Sequence, residues 1–168
     1  PIPSSIFSFD MTQVFKKLVR WSLVVACFLG TVELACRIEQ WLLYDAPVLG
    51  MYTYDTALFT TDEYGITGKP NGAYEKWRLN SFGFRGPEIR RDKSSHRMRV
   101  VCVGASETFG LYESPGAEWP RQLESLLGNA EVESEVVNAA IAGMSLFQRT
   151  LHIQYRLIPF EPDVVLFM

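Results

Sequence analysis

The chain has 168 residues, 48% of them hydrophobic and 21% charged, with a formal net charge of −3. That is apolar material enough for one ordinary domain plus an additional element, and it excludes a disordered chain. With no Lys/Arg patch along the candidate domain, attraction to a phosphate backbone has no source, which argues against a nucleic-acid partner.

Residues 1–13 read as a tail and 14–44 as a hydrophobic helix. Positions 21–32 are almost wholly apolar and 34–36 extend the run past Glu33, slightly less than the ~20 residues that comfortably cross a bilayer. Lys16, Lys17 and Arg20 flank one side and Trp41 and Tyr44 the other, the pattern of a signal anchor with a cytoplasmic N-terminus. A Glu33–Arg37 pair at i,i+4 lowers the cost of the carboxylate near the membrane edge. A cleaved signal peptide is the competitor, but no small-x-small site closes the run. Val24-Val25-Ala26-Cys27 has the shape of a lipoprotein cleavage box, yet too few apolar residues precede it. An anchor therefore ranks above a cleaved signal, and both above a soluble amphipathic helix.

The three cysteines, Cys27, Cys36 and Cys102, lie in apolar runs and read as buried thiols. The first two are separated by roughly 13 Å of helical rise, too far for a disulfide. Their spacing resembles no zinc site, and no metal or organic cofactor is expected.

Residues 45–98 form a lead-in of turns and short strands, as in Gly68-Lys69-Pro70-Asn71-Gly72, ending in a polar linker over 92–97. From Arg99 onward the order is strand, helix, strand, helix, strand. The first strand spans 99–103. Pro120 and Gly128 bracket a helix with Trp119, Leu123, Leu126 and Leu127 on one face. A second strand spans 134–139. Ser145 opens a second helix, whose expected buried stripe is Phe147, Leu151, Tyr155 and Ile158, and Pro159 and Pro162 stop it. Residues 163–168 form a third strand, apolar throughout, as in a sheet covered by helices on both faces. Two such crossovers imply a parallel, right-handed α/β layer. Pro1 at the start, and an apolar run without a turn signal at the end, lead to the expectation that the chain is a segment of a longer protein.

Reactive groups in open parallel sheets collect beyond the carboxyl ends of the strands, where Gly104-Ala105-Ser106-Glu107-Thr108-Phe109-Gly110 follows the first strand. A phosphate-binding loop would need Lys and Ser/Thr where Leu111 and Tyr112 stand. A dinucleotide fingerprint needs tighter glycine spacing, and a nucleophile elbow needs glycine at Thr108. The set Gly104, Ser106, Thr108, Phe109 and Gly110, then Glu118-Trp119-Pro120, then Asn138 to Gly143, resembles the SGNH (GDSL-type) hydrolase family. The segment Asn80-Ser81-Phe82-Gly83-Phe84-Arg85-Gly86-Pro87-Glu88 resembles a lead-in found ahead of that domain in membrane-anchored members. The likeness covers residues 80–168.

This resemblance implies a three-layer α/β/α, flavodoxin-like fold, incomplete here, over 99–168, with the first strand central. It makes Ser106 the nucleophile, with its own N–H in the oxyanion hole, and Gly143 the glycine whose N–H is the next donor. Fixed donors aimed at a tetrahedral oxyanion are what acyl transfer requires, and glycine lets the backbone come close. Ala105 departs from the family's usual Asp, which touches the support of the serine loop rather than the assignment. The family's third oxyanion donor, an Asn, and its Asp-x-x-His base have no counterpart in these residues. His96 precedes the first strand, roughly five residues at ~3.3 Å each from the serine edge. His152 shares a polar helix face with Gln148 and Arg156 and is expected to be a solvated surface residue.

Bland readings compete at each position. Ser106 alone would be a helix N-cap, a reading the surrounding block outweighs. Glu107 complements the helix dipole rather than acting as a base, since neighbouring side chains on a helix diverge. Gly143 alone would be a turn residue. Asn138 is expected to end its strand, and Arg85 to pair with Glu88 or another surface acid. The expectation is an extracytoplasmic, membrane-anchored ester hydrolase acting on small-molecule, lipid or carbohydrate esters, nearly inert as this segment alone. An O-acyltransferase acting on carbohydrate, or a non-catalytic tethered binding module of the same fold, is the alternative. The sequence says nothing of oligomeric state.

Overall fold

The computed structural model describes residues 11–168, and the chain divides at Gly50 into two compact units. In the first, α1 (Met11–Tyr44) runs for 34 residues, roughly 50 Å at the usual helical rise. The part of the expected tail at 1–10 lies outside the described residues. The helix is long and apolar enough to cross a membrane, with a mean hydropathy of 1.7 in its most apolar window. None of its residues is buried by protein. Cys27 and Cys36 are accordingly exposed rather than buried thiols, and only Cys102 is interior. Arg37 Nε meets Glu33 at 2.6 Å as the spacing predicts. Its Nη1 also donates to the carbonyls of Val48 at 3.1 Å and Gly50 at 2.9 Å, folding the following chain back on the helix end.

The second unit begins with α2 (Tyr54–Leu58), closed by a Thr53–Thr56 capping box. Two antiparallel hairpins follow: β1 (Phe59–Asp62) with β2 (Gly65–Gly68), and β3 (Ala73–Tyr74) with β4 (Trp77–Arg78). Next come β5 (Met98–Val103), α3 (Ser106–Phe109), α4 (Trp119–Asn129), β6 (Ser134–Asn138), α5 (Leu146–His152) and β7 (Val164–Phe167). The last three strands form one parallel sheet in the order β6-β5-β7, with Val101 opposite Val137 and Val165.

Central β5 is buried on both faces, and its alternation divides the interior. Val100 and Cys102, with Val136, receive Trp119, Leu123 and Leu127 of α4. Val101 and Val103, with Val137 and Ala139, receive Phe84, Leu157 and Phe160. A third cluster lies beyond the carboxyl ends of the strands. There Leu58, Phe59 and Leu79 pack on Phe109, Ile141 and Met144, so the hairpin region seats the loops that leave β5 and β6.

Several side chains depart from the expected pattern. Leu126 of α4 is 65% exposed. On the second helix Phe147, Tyr155 and Ile158 are exposed, while His152, Leu157 and Phe160 are buried. Phe147, in the first turn of α5, faces outward from the start of the helix, and for Tyr155 and Ile158 the cause is a π-helical turn, Ile153–Leu157, between α5 and a short 3-10 turn. The added residue per turn rotates the following positions off the 3.6-residue stripe. Val164, Val165 and Phe167 of β7 are exposed, and Leu166 packs on the Val100–Cys102–Val136 cluster.

Candidate active site

β5 delivers the chain to Gly104, and a single helical turn, α3, carries Ser106. The N-cap of α3 is Ala105, which makes no side-chain cap bond. The Ser106 hydroxyl is therefore not spent on capping, and Ser106 is not the N-cap its position in the sequence alone would suggest. Its Oγ, half-buried, donates to Glu107 Oε2 at 3.2 Å. That contact corrects the expectation of diverging neighbours: the glutamate stem is long enough for its carboxylate to fold back along the turn.

Two glycines make the turn possible. A Cβ on Gly104 would stand 2.0 Å from the hydroxyl of Thr108, whose buried side chain fills that space. Gly110 closes α3 at φ 76°, in the left-handed region, its N–H donating to Ser106 O at 2.9 Å.

Arg85 lies beneath this turn, 4% exposed, and not at the surface with Glu88. Its Nη1 donates to the carbonyls of Phe109, at 2.6 Å, and Gly110, and its Nη2 to that of Glu113 at 3.2 Å. The guanidinium is 3.6 Å from the carboxylate of Glu118, which is also buried, and 5.2 Å above the Phe109 ring. Burial lowers the Arg85 pKa, and Glu118 draws it part of the way back. Glu88 instead accepts from the N–H and hydroxyl of Ser81 at 2.9 and 2.6 Å. The local fold explains the change of partner. Asn80 Oδ1 accepts the N–H groups of Phe82 and Phe84, both at 3.0 Å, and Gly83 takes φ 79°, so the chain curls inward at Arg85. The Arg85 N–H then donates to Asn138 O at 3.1 Å.

The loop after β6 runs beside the serine turn. Asn138 ends its strand as expected, with Nδ2 donating to Thr108 O at 3.0 Å and Oδ1 accepting from the Ala140 N–H at 3.3 Å. The Ala139 N–H donates to Cys102 O at 3.0 Å and the Ile141 N–H to Gly104 O at 3.2 Å. Ser106 and Gly143 each lie two residues beyond this last pair, at the same end of the sheet. Gly143 adopts φ +79° with open space where a side chain would point. Ser145 then caps α5 through a reciprocal box with Gln148.

His152 is 1% exposed, which overturns its expected surface position. Its Nε2 donates to Ala139 O at 3.1 Å, and its Nδ1 accepts from Arg156 Nη1 at 3.2 Å. Arg156 also pairs with Asp62 and donates to the carbonyls of Ile66 at 3.2 Å and Gly65 at 3.0 Å. Burial first, then the Arg156 charge, push the imidazole down to about 4. It is neutral, and both ring nitrogens are occupied. His96 is exposed on the linker before β5. Burial pushes the Cys102 thiol up to about 12, so it is not a nucleophile. Among the described residues no group of three or more His, Cys, Asp or Glu is arranged to hold a metal.

Sequence reasoning missed the Arg85–Glu118 pair and His152, because charged and titratable residues read as surface unless a distant partner is known. It missed Arg99 too. That residue is buried near the other end of β5, with Nε on Glu135 at 2.6 Å and donors on the carbonyls of Arg90, Arg91 and Phe160. Comparison with family models, curated proteins and solved structures gave no match.

Proposed function

We propose that this chain belongs to a membrane-anchored, extracytoplasmic ester hydrolase of the SGNH type, with a flavodoxin-like sheet and Ser106 as nucleophile. The observation that carries the reading is the pairing of two loops at one sheet end. An uncapped serine hydroxyl begins one, a left-handed glycine lies on the other, and the Ile141-to-Gly104 hydrogen bond ties them together. The central position of β5 in the order β6-β5-β7 supports the same reading.

In the proposed reaction Ser106 Oγ attacks the acyl carbon of an ester as its proton passes to a base. The N–H groups of Ser106 and Gly143 receive the oxyanion. Collapse breaks the ester C–O bond and releases the alcohol, which takes the proton from the base; water then attacks the acyl carbon, the Ser106 Oγ–acyl bond breaks, and the proton lost by water passes through the base to Oγ. A sugar hydroxyl in place of water makes the same chemistry an O-acyl transfer. Small-molecule, lipid and carbohydrate esters all satisfy it, and no metal or organic cofactor is called for. The base is neither His96 nor His152. Positioned acid–base help is worth about a hundred- to ten-thousand-fold, so these residues alone turn over ester very slowly.

The engagement of Ser106 by Glu107 instead of an imidazole favours one rival, a tethered binding module without turnover. A serine-reactive phosphonate probe with mass-spectrometric site mapping separates the two on the full-length protein. The enzyme reading expects Ser106 to be labelled and Ser106→Ala to be spared. Equal labelling of both proteins, or of neither, removes Ser106 from the mechanism.

A further inference from the structure

We infer that Arg85 is a positioning residue for the proposed reaction, its guanidinium gripping the carbonyl end of the turn whose other end carries Ser106. The inference rests on the assignment of Ser106 as nucleophile. α3 has four residues, far fewer than a helix needs to persist alone. Its closing carbonyls, those of Phe109 and Gly110, belong to buried residues, and such groups must find donors. Both are taken by one Arg85 nitrogen, and the second nitrogen takes Glu113 O beyond the turn. A cation there also opposes the negative end of the helical turn.

The grip is anchored on three sides. Glu118, at the N-cap of α4, supplies the countercharge. The Arg85 N–H is fixed to Asn138 O at the end of β6. The Asn138 side chain holds Thr108 O, the carbonyl just before those held by Arg85. Three successive carbonyls of the nucleophile turn are thus fixed from outside it. Close packing leaves no slack, since a Cβ on Gly110 would meet Arg85 Nη1 at 3.0 Å and Glu118 Cβ at 2.5 Å. A planar fork reaches these carbonyls and the carboxylate together. The point charge of a lysine does not.

The test compares wild type, Arg85→Lys and Glu118→Gln in the full-length protein, by hydrogen exchange and by phosphonate inactivation kinetics. For Arg85→Lys, peptides covering 105–113 should exchange at least about tenfold faster while those of β5 and β6 keep their rates. The maximal inactivation rate should fall at least about tenfold with the probe's half-saturation concentration unchanged, as misplacement of a reacting group predicts. Glu118→Gln should move both readouts in the same direction by less. Unchanged exchange over 105–113, or a uniform rise across turn and sheet, overturns the inference. If Arg85→Lys does not fold, Glu118→Gln decides, selective loosening of 105–113 supporting the proposal and its absence overturning it. A wild-type protein that the probe does not label overturns this inference and the esterase reading together. A labelled wild type with an equally fast Arg85→Lys overturns this inference alone.

Discussion

The turn after β5 and the loop after β6 leave the same end of the sheet, yet they are held by different means. The first is packed solid: Thr108 occupies the space over Gly104, Glu118 occupies that over Gly110, and Arg85 fills its carbonyl end. The second is tethered at points, by the Ile141 N–H on Gly104 O and by His152 on Ala139 O, and Gly143 beyond them faces open space. A nucleophile benefits from the rigid arrangement, since its position relative to the attacked carbon governs the rate. In the proposed reaction the oxyanion donor needs room for the substrate beside it, and Gly143 has open space at that position.

The largest effect should come from breaking the packed side. Gly104→Ala puts a methyl carbon 2.0 Å from Thr108 Oγ1, and a buried β-branched side chain has little freedom to turn away. A loss of about 3 kcal/mol or more in the denaturant midpoint analysis is expected. A loss below about 1 kcal/mol would show that the turn is looser than described.

The tethered side is tested through pH. The folded pKa of His152, about 4, lies below the ordinary histidine value of 6.5. Between those values the unfolded chain binds more protons, so stability is complete above 6.5, declines as pH falls toward 4, and levels off below. The span of that shift corresponds to about 3 kcal/mol. Asp62 and Arg156, the charged groups facing the ring, are paired with each other. Urea midpoints measured from pH 7 to pH 4 should therefore fall more steeply for wild type than for His152→Gln. Parallel profiles would contradict the buried, neutral imidazole.

The smallest effect is expected at Gly143. A side chain there has space but must adopt φ +79°, so Gly143→Ala should cost about 1 kcal/mol in stability. Phosphonate labelling should slow while hydrogen exchange over 105–113 stays at the wild-type rate. Loosening of both loops together would erase the distinction between them.

What could be read from the sequence follows the same division between local and distant causes. The strand at 99–103 announces itself because a central parallel strand is apolar on both faces, and the strand expected over 134–139 is found at Ser134–Asn138 on the sheet edge. The helix start at Ser145 is local chemistry and was legible, as was the Glu33–Arg37 spacing. The face of the second helix was not. Phe147, Leu151, Tyr155 and Ile158 make a sound α-helical stripe, but Phe147 already faces outward in the first turn, the π turn at 153–157 changes the phase for Tyr155 and Ile158, and the partners of His152 come from Ala139 and Arg156. Arg85 is the sharpest case. A charged residue in a polar segment reads as surface, and only distant partners, the carbonyls of residues 24 to 28 positions away and the Glu118 carboxylate, make its burial tolerable. The two loops could be placed at one sheet end from strand order alone. The clamp beneath one of them could not.

The most direct test of the account is a crystal structure of the full-length protein carrying the phosphonate on Ser106. The account predicts the phosphoryl oxygen about 2.7–3.1 Å from the backbone nitrogens of both Ser106 and Gly143. An adduct whose oxygen points to solvent, with the Gly143 amide on another rim of the fold, would contradict it.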